Sequence, residues 1–393
     1  MAPKHLMTIG LMLCVACANS SSAAPLAPEA STTIAPTGSS PATTALATTT
    51  TAPPPRTLSV VAVGDWLSEG LINNAAAAAA PAGVRYNHEP LIRPVVPIIQ
   101  GADLAICHME TPIGLPGRSA GFLGMSDYGS ALISAPYEVA ADLHRAGFDR
   151  CSTASNHALD GREAAIRDTL DALDAAGIAH SGTARSPEEA ISKPFTVNGV
   201  NVSHLSYTRS SNTGWASRSW SLNQATAEHI VSDVAVARAD GAEIVIISLH
   251  TDWELEKAPT RNDRAFVEQI TAAAHPDLII MTGPHVPQPV ERVNGTLVYW
   301  SLGNFISGMG MPDRGTYADP RTLDGLLAKV RFTQAPDGSW TSEYAPVLLC
   351  NVTGSRVVYP GVQTLHDAST PAPLRAQLEA CLNRTSAVVA DLQ

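Results

Sequence analysis

Polar side chains that can bind a metal or transfer a proton follow several short apolar runs of this sequence. The residues at these run ends are Asp65, Glu110, Asn156, His157, His250 and His285. Carboxylates, an amide oxygen and imidazoles together form a mixed oxygen and nitrogen ligand set, which suits manganese, iron(II) or zinc. Taken singly, each is more often a helix cap or a hydrogen-bonded residue at a sheet edge. Their recurrence at successive run ends favours one shared metal site.

The stretch at residues 151–161, C-S-T-A-S-N-H-A-L-D-G, is the expected chemical centre. It follows a helix end marked by Gly147 and continues into a helical pattern, so Asn156 and His157 fall between a strand and a helix. Open α/β sheets bind ligands at the carboxyl edge of their strands. His157 can donate a proton at neutral pH, and Asp160 can orient its imidazole. For this stretch alone, the alternative is a capped helix start with a surface histidine.

The order of predicted elements indicates an α/β fold with a largely parallel sheet core. The predicted strands cover residues 58–63, 103–106, a segment from 151, two strands within 197–207, and residues 244–249, 278–281 and 297–300. The predicted helices cover residues 136–146, 162–176, 225–239, 264–274 and 373–382. Residues 114–129 are glycine-rich and are expected to form a loop over the site. We expect one large domain at residues 58–350 and a C-terminal extension with one helix at residues 351–393.

Acidic residues outnumber basic residues in this chain of 393 residues. The 25 lysines and arginines against 36 aspartates and glutamates give a formal net charge of −11 at pH 7. Nucleic acids and anionic surfaces attract basic proteins, so this balance argues against either as the main partner. We therefore expect no nucleic-acid partner.

The N-terminal region combines an export signal with a low-complexity tether. A positively charged start precedes an apolar run that is too short to span a membrane, which predicts a signal peptide at residues 1–18. The sequence around Cys17 resembles a lipoprotein processing site, although the small residues beside it also permit ordinary secretory cleavage. Residues 19–57 are rich in Ser, Thr, Ala and Pro, which predicts a disordered tether. We expect an exported protein at the outer face of the cell membrane, lipid-anchored at Cys17.

Four cysteines follow the N-terminal region, and they are Cys107, Cys151, Cys350 and Cys381. An even number of cysteines outside the cytoplasm permits disulfides. Cys107 and Cys151 each precede a proposed site residue by a few positions, so we predict that they are neighbours on adjacent strands and form a disulfide. The other two cysteines form the second predicted pair. A buried free thiol is the alternative for each.

The motifs at the run ends resemble those of the CapA family, the bacterial capsule (poly-γ-glutamate) synthesis proteins. The similar segments are Gly64-Asp65, Met109-Glu110-Thr111-Pro112, Asn156-His157-Ala158-Leu159-Asp160, Ser206-Tyr207-Thr208, Ser248-Leu249-His250 with Glu254, Pro284-His285-Val286 with Gln288-Pro289, and Ser301-Leu302-Gly303-Asn304-Phe305. They occur in the family's order over roughly residues 58–306, so the resemblance is specific for a long region.

The resemblance implies a calcineurin-like metallophosphoesterase fold, which is an α/β/β/α sandwich of two packed sheets flanked by helices. It also implies roles for individual residues. The implied metal ligands are Asp65, Glu110, Asn156, His250 and His285, the implied catalytic residues are His157 and Asp160, and the implied substrate-binding residues are Glu254 and Asn304.

The chain departs from the family pattern at two places. Thr282-Gly283 stand where the family carries a histidine before Pro-His-Val, and threonine is a much poorer metal ligand than imidazole. Thr251-Asp252 stand where a Trp-Gly pair is usual, and Asp252 offers an oxygen as a replacement ligand. We therefore expect at most one tight site for a divalent metal ion, with manganese, iron and zinc as candidates.

The family resemblance implies an exported protein that acts on an anionic or peptide-like polymer of the cell envelope. The first hypothesis is a metal-dependent hydrolase or transferase that works in the synthesis, anchoring or release of capsule or wall polymer. The second is a non-catalytic polymer-binding or assembly protein with a degraded metal site, which the replacement at Thr282 favours. A nucleoside phosphatase is a third hypothesis that rests on the fold alone.

Overall fold

The first strand, β1 (Thr57–Trp66), sends successive side chains into two separate cores. Val61 and Val63 pack among helices on one face, whereas Val60 and Ala62 pack between two sheets on the other. Side chains alternate between the two faces of a strand, so a strand buried on both faces must be apolar nearly throughout. The predicted buried strand at residues 58–63 is therefore confirmed.

A computed structural model of the protein describes residues 55–118, 120–312 and 318–393. The expected signal peptide at residues 1–18 lies outside the described residues, as does the expected tether up to residue 54. The described residues belong to one compact unit, Pro54–Gln393. Among the helices of this described part, none is long and apolar enough to cross a membrane.

The first sheet contains eight strands, and its main path has the order β16-β15-β14-β1-β2-β5-β6. Its strands after β1 are β2 (Leu104–His108), β5 (Arg150–Ser152), β6 (Ala179–Ser181), β13 (Asn304–Ile306), β14 (Asp324–Gln334), β15 (Trp340–Asn351) and β16 (Val358–Pro360). The strands β1, β2, β5 and β6 are parallel, and β13 pairs in parallel with the end of β1. The strands β14, β15 and β16 extend this sheet in antiparallel pairs.

The second sheet contains six strands in the order β11-β12-β10-β9-β8-β7. Its strands are β7 (Phe195–Val197), β8 (Val200–Thr208), β9 (Ile244–His250), β10 (Leu278–Thr282), β11 (Val290–Val293) and β12 (Thr296–Tyr299). The four central strands are parallel, and the two edge strands pair antiparallel. The predicted turn between β7 and β8 is confirmed, since Asn198 and Gly199 have φ values of 48° and 79°, as a two-residue hairpin turn requires.

Helices cover the outer faces of the two sheets. Against the first sheet lie α1 (Gly70–Ala78), α2 (Glu89–Ile92), α3 (Val96–Gln100), α4 (Glu138–Ala146) and α5 (Arg162–Ala175). Against the second sheet lie α6 (Ala227–Ala239) and α7 (Arg261–Ala274), whose apolar residues share a core with β9 and β10. A third core separates the two sheets. The predicted α/β/β/α layering is confirmed.

Two regions differ from the sequence-based expectation. The glycine-rich segment at residues 114–129, which was expected to be a loop, contains β3 (Gly121–Met125), which forms a hairpin with β4 (Ala131–Ser134) just after it. Glycine weakens a strand but does not prevent its main chain from pairing. The C-terminal part is richer than expected. Residues 324–351 form the long hairpin of β14 and β15, and residues 351–393 contain β16 and two helices, α8 (Gly361–His366) and α9 (Ala372–Thr385), rather than one helix.

Both predicted disulfides are present in the fold. Cys107 and Cys151 are register partners on β2 and β5, with Cα atoms 4.5 Å apart. Cys350 and Cys381 link β15 to α9, so the C-terminal helix is covalently fixed to the first sheet. The first bridge lies beside the end of β2, where the residues with metal-binding chemistry begin.

Candidate metal centre

Strand ends from both sheets meet at one place because neighbouring parallel strands stop at matching positions. In the first sheet Asp65 is the register partner of His108. In the second sheet His250 is the register partner of Thr282. The carboxyl ends of parallel strands share one edge of a sheet, so these side chains point into a common space between the two sheets.

One group of potential ligands consists of Asp65, Glu110 and His285, all of which are buried. His285 Nδ1 lies 3.1 Å from an oxygen of Asp65, and His285 Nε2 lies 3.8 Å from an oxygen of Glu110. Asn304 also approaches His285, with its side-chain oxygen 3.0 Å from Nδ1. The Asp65 and Asn304 contacts therefore fix the imidazole so that Nε2 faces the carboxylate of Glu110.

A second group shares Asp65 with the first and adds His108 and His250. His108 Nε2 lies 3.6 Å from an Asp65 oxygen and 3.1 Å from His250 Nδ1. The other imidazole nitrogen of His108 lies 3.0 Å from the hydroxyl of Ser152, which holds the ring in place. Two sets of three ligands thus meet at one carboxylate.

The carboxylate oxygens at the centre show that the ligand set fits a cation. Within the part of the chain that the structure describes, no hydrogen-bond donor reaches one oxygen of Asp65 or either oxygen of Glu110, although all three are buried. The side-chain oxygen of Asn156 is unpaired in the same way. Buried oxygen atoms without partners are costly, and a divalent cation is the group that would satisfy them. The donor set of carboxylates and imidazoles suits manganese, iron or zinc.

Burial and neighbouring charges shift the pKa values of this cluster in different directions. Burial lowers the pKa of His108 to about 4. Burial, reinforced by His108, holds the pKa of His250 well below its usual range. Neutral imidazoles keep a lone pair free, which is the state that binds a metal.

The pKa values of the two carboxylates shift in opposite directions, and the pKa of His285 rises. Burial, with the nearby Asp65 charge, raises the pKa of Glu110 well above its usual range. Burial alone would raise the pKa of Asp65, but the hydrogen bond and charge of His285 lower it. Burial would lower the pKa of His285, but Glu110 and Asp65 raise it to about 10. A bound cation would replace the proton that these groups hold.

Thr282 and Gly283 occupy the place where an imidazole was expected from the family pattern. The Thr282 hydroxyl lies 3.1 Å from His250 Nδ1, so it positions a potential ligand. Gly283 donates its backbone N–H to Asp65 at 3.3 Å. A Cβ at Gly283 would lie only 1.9 Å from the carbonyl oxygen of Thr251, and the φ of Gly283 is 103°. Only glycine therefore permits this close approach beside Asp65.

The predicted acid, His157, stands beside the cluster on the segment that follows β5. Its Nδ1 lies 2.6 Å from Asp160 Oδ2, as expected for an orienting carboxylate. Asn212 also approaches this nitrogen, at 3.2 Å. The neighbouring Asn156 directs its amide nitrogen to Asn212 at 3.4 Å. The other nitrogen of the His157 ring, Nε2, is the one left to exchange a proton with a substrate.

A cavity of about 570 Å³ joins several of the predicted residues. Asn156, His157, His285 and Glu254 all line it. His250 lies 3.9 Å from an oxygen of Asp65 and 3.9 Å from an oxygen of Glu110, and His285 contacts the same two carboxylates. The structure therefore brings these four buried residues together.

The structure places two predicted site residues away from the positions that their expected roles require. Asn304 was expected to contact substrate, but its side chain is buried, with its oxygen at His285 and its nitrogen donating to the Thr322 carbonyl at 2.9 Å. It therefore orients His285 instead of facing the cavity. Asp252, the expected replacement ligand, is exposed to solvent and belongs to neither ligand group of the described residues.

Comparison with known proteins places this centre in a family. Residues 59–309 match the model of the family described as "Bacterial capsule synthesis protein PGA_cap". The chain belongs to this family. The matched region contains Asp65, His108, Glu110, His157, His250 and His285.

Individual relatives are about a quarter identical to this chain over the region that aligns with it. The "PGA biosynthesis protein CapA" of Bacillus subtilis (strain 168) is 27% identical over 234 residues, which are 58% of this chain and 53% of the relative. The "Capsule biosynthesis protein CapA" of Bacillus anthracis is 24% identical over 236 residues, or 58% of this chain and 56% of the relative. The chain spans about half the length of the curated relatives it matches.

Solved structures that resemble this chain include two phosphoesterases. One is the calcineurin-like phosphoesterase YfkN from Bacillus subtilis, with a TM-score of 0.44 and 13% identity, covering 85% of this chain and 98% of that chain. The other is a phosphatase from Mycoplasma pneumoniae, with a TM-score of 0.42 and 14% identity, covering 75% of this chain and 94% of that chain.

Sequence reasoning missed His108 as a member of this centre. His108 lies at the last position of β2, two residues before Glu110. Its signal was weak because the flanking residues Cys107 and Met109 are apolar and made it resemble the interior of a strand. The pairing of β1 with β2, which sets Asp65 opposite His108, is not a local property of either segment.

Proposed function

We propose that this protein works in capsule or cell-wall polymer synthesis as a metal-dependent hydrolase or transferase that acts on an anionic or peptide-like polymer of the poly-γ-glutamate type. The observation that carries the proposal is the set of unpaired, buried oxygens of Asp65 and Glu110, which face imidazoles beside a cavity lined by His157. The names of the two relatives support a role in the synthesis of capsule polymer.

A divalent metal fits this centre, and manganese, iron and zinc are the candidate ions. Asp65, Glu110 and His285 would hold it, with His250 Nε2 also near, 3.9 Å from Glu110. When bound, such an ion supplies Lewis-acid polarisation of a carbonyl or phosphoryl oxygen and a more acidic water. Asn304 would keep the His285 ring in the orientation that presents Nε2 to the metal.

His157 would act as the general acid at the scissile bond. Asp160 accepts the Nδ1 proton, so the proton available for a leaving group would be carried on Nε2. In hydrolysis the leaving amine or alkoxide takes this proton, water supplies the hydroxyl of the new carboxylic or phosphoric acid, and His157 recovers the proton that the water loses. In transfer, an amine or hydroxyl of a second chain takes the place of water, and His157 recovers the proton that this nucleophile loses.

The competing hypothesis is a polymer-binding or assembly protein without catalysis. The observation in its favour is Thr282, which offers a hydroxyl to His250 where an imidazole was expected. The retained carboxylates and the oriented His157 favour the enzyme. The two hypotheses differ in one measurable property, which is turnover in the presence of metal.

The site of action would be the outer face of the cell membrane. The sequence of the first 18 residues supports export, and Cys17 supports lipid attachment. A single acyl chain binds membranes only marginally, at on the order of 10⁴ M⁻¹, so lasting attachment would need the several chains of a lipoprotein. Replacement Cys17→Ser should release the protein into the medium, and unchanged membrane fractionation would point to another anchor or to ordinary secretion.

The catalytic proposal is tested by metal analysis and turnover of the full-length protein with poly-γ-glutamate. We expect His157→Ala to lower turnover by roughly 10²- to 10⁴-fold with its metal content unchanged, because it removes only the acid. We expect His285→Ala to lose both metal and turnover. Equal activity of the metal-free and metal-loaded proteins would refute the mechanism. Metal binding without any turnover would favour the binding protein.

A further inference from the structure

A turn that lies beyond residues 59–309, the region that matches the family, holds the side chain of Asn304 in one orientation. Asn304 Nδ2 donates to the Thr322 carbonyl at 2.9 Å, and Asn304 Oδ1 lies 3.0 Å from His285 Nδ1. A carbonyl oxygen can only accept a hydrogen bond, so it keeps the amide nitrogen on its side and leaves the amide oxygen for the imidazole. The Pro320–Leu323 turn, which carries Thr322, therefore decides which end of the amide faces His285.

The backbone of Asn304 is fixed separately from its amide group. Asn304 is the register partner of Asp65 on β1, and its side chain is fully buried. The pairing of β13 with β1 leaves open the rotation of the amide about its last bond, which exchanges the oxygen with the nitrogen. The rotated amide would turn N–H groups toward the imidazole and would remove the acceptor from Nδ1. The position of the Thr322 carbonyl thus affects the ring of a potential metal ligand.

The C-terminal helix α9 is attached at the residue where β14 begins, directly after this turn. Arg384 of α9 donates to both carboxylate oxygens of Asp324, from Nε at 2.8 Å and from Nη2 at 2.6 Å. Asp324 is buried and lies two residues after Thr322. A guanidinium that binds both oxygens of a carboxylate fixes its direction as well as its distance. The position of α9 therefore sets the position of the chain next to the Thr322 carbonyl.

The Cys350–Cys381 disulfide attaches α9 at a neighbouring point. Cys350 on β15 is the register partner of Asp324 on β14. On α9, Cys381 and Arg384 are three positions apart, so they lie on the same face of the helix. One face of α9 is therefore joined to adjacent residues of the sheet by a covalent bond and by an ion pair. Together they restrict the movement of the helix more than either does alone.

The ion pair between Asp324 and Arg384 is a poor candidate for a purely stabilising contact. Burial raises the pKa of Asp324 to about 6 in spite of the guanidinium, so the fold disfavours the ionised carboxylate. At about pH 7.5 the carboxylate is nevertheless ionised, and the pair forms at a cost in stability. A pair that fixes geometry at such a cost fits a positioning role better than a stabilising one.

We propose that α9 is a positioning element of the metal centre, which acts through Asp324, the Thr322 carbonyl and Asn304 on the orientation of His285. Arg384 is its main contact residue, because it joins α9 to the start of β14. The inference rests on the proposed function for the metal that His285 would bind, whereas the orientation of the ring can be measured without metal.

The first test compares two arginines of α9 in the full-length protein at about pH 7.5. Arg384→Met should weaken Mn²⁺ binding about three- to tenfold, which is less than the loss of a direct partner of a metal ligand causes. The control Arg375→Met also removes two hydrogen bonds of an α9 arginine, but these go to the carbonyls of Leu365 and Asp367. It should leave Mn²⁺ affinity unchanged in calorimetric titration.

A double-mutant cycle measures whether the effect of Arg384 passes through Asn304. Asn304→Ala should weaken Mn²⁺ binding by roughly 10- to 100-fold, because it removes a direct partner of His285. Adding Arg384→Met to Asn304→Ala should weaken it by at most about twofold more, since the contact through which it acts is already absent. A general loosening of the fold would instead give two losses that multiply.

The orientation of the His285 ring can be observed directly in the metal-free protein. In protein labelled with ¹⁵N-histidine, the His285 signals are identified by their absence from His285→Ala. They should shift in Arg384→Met and stay in place in Arg375→Met. Denaturant unfolding shows which variants are folded. Arg384→Gln, which keeps an amide donor, replaces Arg384→Met with the same expectation if the methionine variant does not fold.

The outcomes separate this inference from the catalytic proposal. Unchanged His285 signals and unchanged Mn²⁺ affinity in folded Arg384→Met would overturn the inference. Equal losses in Arg384→Met and Arg375→Met would also overturn it, as would losses that multiply in the cycle. Shifted His285 signals in Arg384→Met, without Mn²⁺ binding by any form of the protein, would support the positioning role while removing the metal from the proposed function. Mn²⁺ binding that depends on Arg384 without any turnover would support the inference and remove the proposed catalysis.

Discussion

His108 Nε2 lies 3.1 Å from His250 Nδ1, although 142 positions separate the two residues in the chain. The contact joins the end of a strand in the first sheet to the end of a strand in the second. The rings stack with their centroids 5.1 Å apart, and both are buried. Because Asp65 stands beside both rings, this pair forms a second potential ligand group next to the first.

The two ligand groups should differ in metal affinity. Asp65 and Glu110 bring two carboxylates to the first group, whereas His108 and His250 are neutral and share the single carboxylate of Asp65. We therefore expect one tight equivalent of metal and a weaker second one. His108→Ala should abolish the weaker equivalent and leave the tight one, as measured by calorimetric titration with Mn²⁺ and Zn²⁺. Loss of the tight equivalent in this variant would show that the groups have been assigned in the wrong order.

Position 282 tests whether the missing imidazole limits metal binding. Thr282→His should raise metal occupancy, because it adds a nitrogen ligand next to His250. The control Thr282→Val keeps the volume and removes only the hydroxyl that contacts His250 Nδ1. It should leave occupancy close to that of the unmodified protein, as measured by elemental analysis after dialysis. A lower occupancy in the histidine variant would mean that the buried space does not accept the larger ring.

Much of this architecture could be predicted from local sequence patterns. The strands β1, β9 and β10 are short apolar runs that end in polar residues, because both faces of each strand are buried. Asp65, Glu110, His250 and His285 could be placed at one edge for the same reason. Disulfide pairing of Cys107 with Cys151 followed from their positions before the site residues, and the structure has this bridge.

The remaining features depend on pairing between distant segments. β14 has an exposed Lys329 and an exposed Arg331 between apolar residues, so its sequence alone does not define its antiparallel partners. His108 became part of the centre only through the register of β2 with β1. The role of Asn304 also required tertiary structure, because its two partners, His285 and Thr322, come from other segments.

The pH dependence of stability should contain a contribution from buried Asp324, which is paired with the half-buried Arg384. Burial raises the pKa of Asp324 to about 6 despite two hydrogen bonds from Arg384. Below the usual pKa of 3.8 both the folded and unfolded states hold the proton. Between pH 3.8 and about 6 the folded state keeps a proton that the unfolded state has lost, so stability falls as the pH rises and levels off above about 6.

Replacement Asp324→Asn should remove this pH dependence. Relative to the unmodified protein, the variant should gain about 3 kcal/mol or less in unfolding free energy between pH 4 and pH 7, measured in denaturant. The control Asp337→Asn should change in the opposite direction, because hydrogen bonds from Ser339 lower the pKa of Asp337 in the folded state. A difference between Asp324→Asn and the unmodified protein that does not change with pH would contradict this account.

The substitution Gly283→Ala tests whether the close approach of the Gly283 and Thr251 backbones supports the metal centre. Gly283→Ala would place a Cβ 1.9 Å from the Thr251 carbonyl, at a φ of 103° that L-residues rarely adopt. The control Gly199→Ala has a similar backbone problem, with a φ of 79°, but its Cβ would meet nothing within 4 Å. The control should therefore lose about 1 kcal/mol of stability from backbone strain alone.

Gly283→Ala should lose more, about 3 kcal/mol or above, because strain and a backbone clash act together. The shift needed to relieve the clash should also weaken the hydrogen bond from the Gly283 N–H to Asp65. We therefore expect the variant to lose tight metal binding at temperatures where it is still folded, whereas Gly199→Ala should keep it. Denaturant unfolding and metal titration of both variants measure these two effects separately. Equal destabilisation of the two, with metal binding intact, would mean that the contact between Gly283 and Thr251 has no role in shaping the centre.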